Sequence, residues 1–420
     1  MVTRILWHPV LIFAPIMANT HLHSMTKQRY FYLVFILGSL TALSPFSIDM
    51  YLPGFRDIAE NLHTTVSRVS LSLSTFFIGI SAGQLLYGPL LDRYGRKRPL
   101  YAGLALYILV SLACLSVRQV DHLIILRFIQ AVGSCAATVT AMAMVRDLFG
   151  VKESAKVYSL LLLVLGASPM IAPTAGSYII SLFGWRAVFV ILTVMGAGAL
   201  LMAIVGLPES HPPDKTVSLK PGPTLKNFSM VLKDRQFLTN ALAGALAFAG
   251  LFAYVSGSPM VFMDIFGVDK KVYGWIFAFL SLGFIGISQF NTLLLKRFSS
   301  GQIIRFALTA EVLVGILFWG GNIAGWYGLA STIFFIFLIL VCIGFVNPNA
   351  AALSLAPFAK NAGSASALMG AMQMGIGALA SVGVSLLSNG TATPMAAIIA
   401  GSALLGLGVL LLSGRDLPRP

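Results

Sequence analysis

Three ionisable side chains stand where a chain this apolar would not be expected to tolerate them. Asp49 lies in Ser44-Pro-Phe-Ser-Ile-Asp49-Met-Tyr-Leu-Pro53, Arg127 in Arg127-Phe-Ile-Gln130-Ala-Val-Gly133, and Glu311 in the middle of the apolar run 302–321. A charge surrounded by hydrocarbon costs at least ~2.5 kcal/mol on insertion scales, so each needs a partner, a wet cavity or a job. A carboxyl group in such a place can be carried neutral with a proton, or ionised beside a cation. That makes Asp49 a candidate proton site, with Arg127 as the cation. Gln130 and Ser134 follow Arg127 at i+3 and i+7 and extend a polar stripe along one helix face. Blander readings stand beside these: Asp49 as a cap at a helix end near water, Arg127 snorkelling to a surface, and Glu311 making a local polar contact. Tyr51 and Gln373 are additional candidates.

The elements that must position these groups are membrane spans. Of 420 residues, 57% are hydrophobic and only 10% are charged, and mean hydropathy is +0.88. A soluble protein carries roughly 25% charged residues. A span needs about 20 mostly apolar residues. Twelve runs qualify: 30–53, 69–91, 99–117, 122–145, 157–181, 186–207, 237–262, 272–295, 302–321, 327–349, 363–388 and 393–413. Asp49 then lies seven residues before Arg56 on an outgoing span, and Arg127 six residues after Asp121 on an incoming one. At a 1.5 Å rise per residue both sit about 10 Å from their outer ends, so they could share one cavity.

The net charge of +14 does not point to nucleic acid, because the basic residues are spread over loops rather than clustered. With the N-terminus inside, 21 Lys and Arg fall on inner segments and 6 on outer ones, which places both termini in the cytoplasm. Residues 30–208 and 237–414 form two six-helix halves. The polar segment 209–236 joins them, with His-Pro-Pro-Asp-Lys and Lys-Pro-Gly-Pro favouring turn or extended backbone. Residues 1–29 and 415–420 are cytoplasmic tails. The first 24 residues read as a mis-assigned start ahead of Met25, or as a signal-like or interfacial segment. Cys114, Cys135 and Cys342 fall in apolar runs without metal spacing, and the six histidines lie outside the spans or at their margins. No metal site or embedded histidine relay is expected. There is no phosphate-binding Gly-x-x-x-x-Gly-Lys loop for direct ATP coupling, and no clustered nucleophile of an enzyme.

Several motifs carry a family resemblance. Gly88-Pro-Leu-Leu-Asp-Arg-Tyr-Gly-Arg-Lys-Arg-Pro-Leu100 resembles the loop 2–3 signature of the major facilitator superfamily. Gly88 and Gly95 would allow close packing and a tight reversal there. The resemblance implies a gating latch of Gly88, Asp92, Arg93, Gly95, Arg96 and Asp147. In it Asp92 faces the start of the eleventh span near Gly363-Ser364, and Arg96 pairs with Asp147. The Arg127–Gly133 run is similar to the Arg-x-x-Gln-Gly-x-Gly motif of proton-coupled members, with Ala131 in place of the first glycine. Gly166-Ala-Ser-Pro169-Met-Ile-Ala-Pro173-Thr-Ala-Gly176 resembles the antiporter motif, two prolines bending one span. Gly363, Ala367, Ala371 and Gly375 line one face of the eleventh span, for static or sliding helix contact.

With Ile48-Asp-Met-Tyr-Leu-Pro53, Phe183-Gly-Trp-Arg-Ala-Val-Phe189 and Ser258-Pro259, the chain resembles the Bcr/CflA branch of drug:proton antiporters. The resemblance implies an all-α fold of twelve transmembrane helices in two pseudo-symmetric halves, in the bacterial inner membrane. It implies export of small lipophilic drugs or metabolites by a monomer, powered by the proton gradient without a cofactor. A uniporter or symporter of the same fold is the alternative. The place near Thr41, where some multidrug relatives carry a second acid, has none, which argues against dicationic substrates.

Overall fold

A computed structural model describes residues 26–215, 221–358 and 362–413, and among them no strand occurs. The N-terminal segment before Thr26, Lys220, Lys360, and the tail with Arg415 and Arg419 lie outside the described residues.

Among the described residues fourteen α-helices follow one another: α1 (Lys27–Asp49), α2 (Phe55–Asn61), α3 (Val66–Tyr94), α4 (Lys97–Cys114), α5 (Val120–Leu148), α6 (Val151–Phe183), α7 (Arg186–Gly206), α8 (Pro221–Leu232), α9 (Arg235–Pro259), α10 (Lys270–Leu294), α11 (Ser300–Ile323), α12 (Leu329–Leu355), α13 (Ala362–Leu386) and α14 (Thr393–Ser413). All except α8 belong to the twelve segments long and apolar enough to cross a bilayer, the first of which, Lys27–Asn61, takes in both α1 and α2. The twelve expected spans therefore all form. Several overrun their expected ends, α6 by six residues at its start, because a helix can continue past the hydrocarbon while water or a cap serves its end groups. The first helix stops earlier than expected, at Asp49. After Asp49 the chain turns through the 3₁₀ segment Leu52–Gly54, which has Pro53 at its second position.

Polar residues mark the helix starts. Thr26, Thr65 and Asp234 accept from the backbone N–H three residues on, and Ser299 and Gln302 form a full capping box on α11. Segment 209–236 departs from the extended reading, since Pro221–Leu232 is helical. Pro221 opens that helix, where its missing N–H removes no intrahelical bond. Val231 then packs with Phe237, Ala365 and Leu368.

Helices α1 and α3–α7 form one half and α9–α14 the other, joined mainly through α3 against α13 and α6 against α10. The end bearing segment 207–235 is called the linker face, and the other end the opposite face. Small residues set the approach distances. A Cβ on Gly176 of α6 would stand 1.9 Å from the Met50 carbonyl oxygen, so α6 presses on the end of α1. A Cβ on Gly166 would meet only the Ile285 side chain, at 3.2 Å. Gly176→Ala should therefore lower the thermal unfolding midpoint of purified protein distinctly, by the equivalent of about 1–3 kcal/mol, and Gly166→Ala much less. Equal melting of the two variants would refute this account of the α1–α6 contact.

Candidate functional site

Arg127 is fully buried on α5, so it does not snorkel. One terminal nitrogen donates to Gln130 Oε1 and the other to the Ser47 carbonyl at 2.6 Å. Gln130 in turn donates to Ser111 Oγ of α4 at 2.7 Å, and Ser47 Oγ shares a 2.7 Å bond with Tyr107 of the same helix. The guanidinium also lies over two rings, 4.3 Å from the Tyr51 centroid and 4.2 Å from that of Phe76 on α3. Cation–π attraction of this kind strengthens when desolvated. Tyr51 is held by Ser72 at 3.0 Å. Only Nε of Arg127 has no partner. The cation is thus neutralised by dipoles and π faces rather than by an acid.

Asp49 is set apart from this cage. It is 4% exposed, and no ion pair among the described residues joins it to Arg127. Ser47 and Asp49 are two positions apart on one helix, roughly 200° around its axis. When Ser47 faces α4 and α5, Asp49 must face away from them. It looks towards the other half, where Tyr254 of α9 and Tyr273 of α10 lie within its electrostatic reach. The spacing argument brought Asp49 and Arg127 to one end of the bundle, but angular position separates them. Arg127, Gln130 and Tyr51 are brought together.

At the linker face, Arg96 is the hub. Its Nε donates to Asp147 at 2.7 Å and one terminal nitrogen to Asp92 at 2.8 Å. Glu209, not foreseen in the sequence, accepts from the backbone N–H groups of Arg96 and Lys97 at 2.7 and 3.2 Å. It caps the start of α4, where a carboxylate also meets the positive end of the helix dipole. Ser210 adds a bond to Asp147 at 3.1 Å, and the Asp214 N–H reaches the Asp92 carbonyl at 3.2 Å. Gly95 makes the reversal with φ +82° and lies against Glu209. Gly88 faces open space, so the close packing expected there is absent. Arg93 ends α3. The Asp92 carboxylate is engaged by Arg96, while Gly363 lies nearest the Arg146 side chain.

Across the halves, Lys270 Nζ contacts both oxygens of Asp57 at 2.6 Å. Ser70 donates to the Ser256 carbonyl at 3.1 Å, Ser74 and Ser381 share a 2.7 Å bond, and Phe77 meets Phe252 edge-on. At the α6–α10 seam, a Cβ on Gly274 of α10 would lie 3.0 Å from Thr174 Cα and 3.4 Å from the carbonyl of Pro173. Pro169 lies one turn earlier on α6. Towards the linker face Ser81 donates to the Ala371 carbonyl at 2.8 Å and abuts Gly375, so part of the small-residue face of α13 meets α3. Gln373 donates to Asn347 at 2.8 Å. Glu311 is fully buried on α11, and neither carboxyl oxygen has a partner.

The family model described as Major Facilitator Superfamily matches residues 37–382. The chain is 34% identical over 392 residues to the uncharacterized MFS-type transporter YdgK of Bacillus subtilis, covering 92% of this chain and 96% of that one. It is 30% identical over 375 residues to a bicyclomycin resistance protein homolog of Haemophilus influenzae, covering 88% and 93%. Identity to the multidrug resistance protein MdtL of Klebsiella pneumoniae is 29% over 338 residues, covering 80% and 84%. A crystal structure of the nucleoside transporter NupG shares the fold, with a TM-score of 0.66 at 14% identity over 92% of this chain and 99% of that one.

The Arg96 cluster makes a clear prediction. Arg96 and Asp147 side chains are only 3% and 10% exposed, so Arg96→Ala strands a poorly solvated carboxylate. It should destabilise the protein by about 3 kcal/mol, read as a lowered melting midpoint. Arg96→Lys should recover only part of this, because an ammonium cannot fork to two carboxylates. Full recovery by lysine would mean that charge alone matters.

Proposed function

Because the chain belongs to the Major Facilitator Superfamily, we propose that it is a secondary transporter exporting small, lipophilic drugs or metabolites in exchange for protons. The observation that carries this reading is the isolation of Asp49. It is a buried acid at the junction of the halves, and the nearby cation is already satisfied elsewhere. An unpaired carboxylate there is unfavourable, so it is stable only when it holds a proton or faces a polar or cationic substrate group. Proton and substrate then compete for one place, and competition is what exchange requires. Arg127 keeps the end of α1 in position by bonding the Ser47 carbonyl, two residues from Asp49.

The halves 30–208 and 237–414 rock about the α3–α13 and α6–α10 seams, with 209–236 as the tether and 1–29 and 415–420 as tails. The linker face is cytoplasmic, as the 21-to-6 division of basic residues favours. The setting is a bacterial inner membrane and the working unit a monomer. No cofactor is required. One proton moved down 100 mV supplies about 2.3 kcal/mol, or roughly 50-fold accumulation.

Everted vesicles energised to a stable pH gradient test the reading. Adding a transported drug, found with a susceptibility panel in an efflux-deficient host, should discharge part of the gradient. Asp49→Asn should abolish that response and the drug protection while the protein remains in the membrane. A response of wild-type size in Asp49→Asn would remove Asp49 as the proton carrier.

A further inference from the structure

A second acid is left unpaired, and the exchange scheme above does not use it. Glu311 lies midway along α11, and both of its oxygens lack a hydrogen-bond partner. Its surroundings come from three helices. On α9 it faces Gly250, where a Cβ would stand 3.5 Å from Glu311 Oε1. From α12, Cys342 is the titratable group within its electrostatic reach. From α14, Ile399 packs at the same point as Gly250. No salt bridge among the described residues reaches it.

A static structural role fits poorly. A permanently protonated acid has an O–H donor and a carbonyl acceptor, and a group kept only for structure would be expected to satisfy at least one. Both are idle here. The missing side chain at Gly250 also leaves space beside the carboxyl group that a methyl could occupy at ordinary contact distance, 3.4 Å from Ile343. One helical turn further along α9 is Tyr254, whose hydroxyl is buried without a partner and lies within reach of Asp49. The two unpaired acids therefore flank the same helix. Any displacement of α9 changes the surroundings of both.

We propose that Glu311 is a second proton-binding site, in the C-terminal half, loaded and unloaded as α9 shifts against α11 at Gly250. The step is a plain association: a Glu311 oxygen forms an O–H bond with a proton delivered by water, and returns it to water when the space beside Gly250 opens. The proposal rests on the reading of the chain as a proton-coupled carrier, and extends the coupling from one half to both.

Infrared difference spectroscopy of the full-length protein in liposomes tests it without a substrate, by following protonated-carboxyl bands through a pH titration. Wild type should show two titrating signals at the high C=O stretching frequency of a buried carboxyl group without hydrogen bonds, apart from the bands of the other Asp and Glu side chains. Glu311→Gln should lose one and keep the other, and Asp49→Asn should do the reverse. Gly250→Ala, which fills the space without a clash, should move the midpoint of the Glu311 signal and leave that of Asp49 in place. Identical titrations of wild type and Glu311→Gln would overturn the proposal. If Glu311→Gln does not fold, unmoved bands in Gly250→Ala would do so. Loss of the Asp49 signal alone from this pattern would count against the single-site exchange scheme while leaving Glu311 standing.

Discussion

The bonding of Arg127 constrains everything around it. An arginine inside an apolar bundle has five N–H donors and a charge to satisfy, and here no carboxylate is spent on it. The Ser47 carbonyl of α1, Gln130 of α5 and the rings of Tyr51 and Phe76 meet its charge and both terminal nitrogens instead, leaving Nε without a partner, with Gln130 and Ser47 anchored in turn to α4. Four helices of the N-terminal half are thereby fixed in register at one depth. Asp49 inherits its direction from that arrangement, since turning Ser47 towards α5 turns Asp49 towards α9 and α10. The acid stays free because the base is satisfied without it.

A directly paired Asp49 and Arg127 would be a different machine. A buried ion pair holds its carboxylate charged, and breaking it exposes an uncompensated charge. Separation leaves Asp49 neutral when protonated and demanding when not, which suits a group that must change state in every cycle. Glu311 repeats the situation in the C-terminal half, with no ion pair reaching it among the described residues. Polar pairs in that half join neutral groups, such as Asn349 with Asn291, Gln373 with Asn347 and Ser258 with Tyr273.

How much of this was legible in the sequence depended on the range of each interaction. Twelve spans were readable because hydropathy is local, whereas the Arg96–Asp147 pair, 51 residues apart, was implied only by the family resemblance of the loop that carries Arg96. The family assignment over 37–382 agrees with that reading. Depth was readable too, since rise per residue is fixed. Angle was not: Asp49 and Arg127 share an end of the bundle, but which way each points depends on helix rotation, set by packing such as Gly176 on Met50. Glu209 escaped notice because it is a single acid in a polar connection. Its role comes from a fold-back onto α4 that leaves no periodic trace. Lys270 entered only the tally of outer basic residues and Asp57 drew no reading at all, because their pairing spans 213 residues and exists only once the halves meet.

The two faces of the bundle differ in what their charges tie together. At the linker face the ion pairs of Arg96 stay within the N-terminal half, and Glu209 and Asp214 add the connection that follows it. At the opposite face Asp57–Lys270 and the serine contacts cross from one half to the other. Rocking the halves apart at the linker face would leave the Arg96 cluster intact, whereas parting them at the opposite face must break every one of those crossing bonds. An Asp57–Lys270 pair nearly a third exposed is worth only about 1 kcal/mol or less, and hydroxyl bonds a similar amount each. The opposite face is therefore held shut by several weak ties rather than one strong one. A barrier of that composition is within reach of the energy released when a single buried carboxyl group gains or loses its proton.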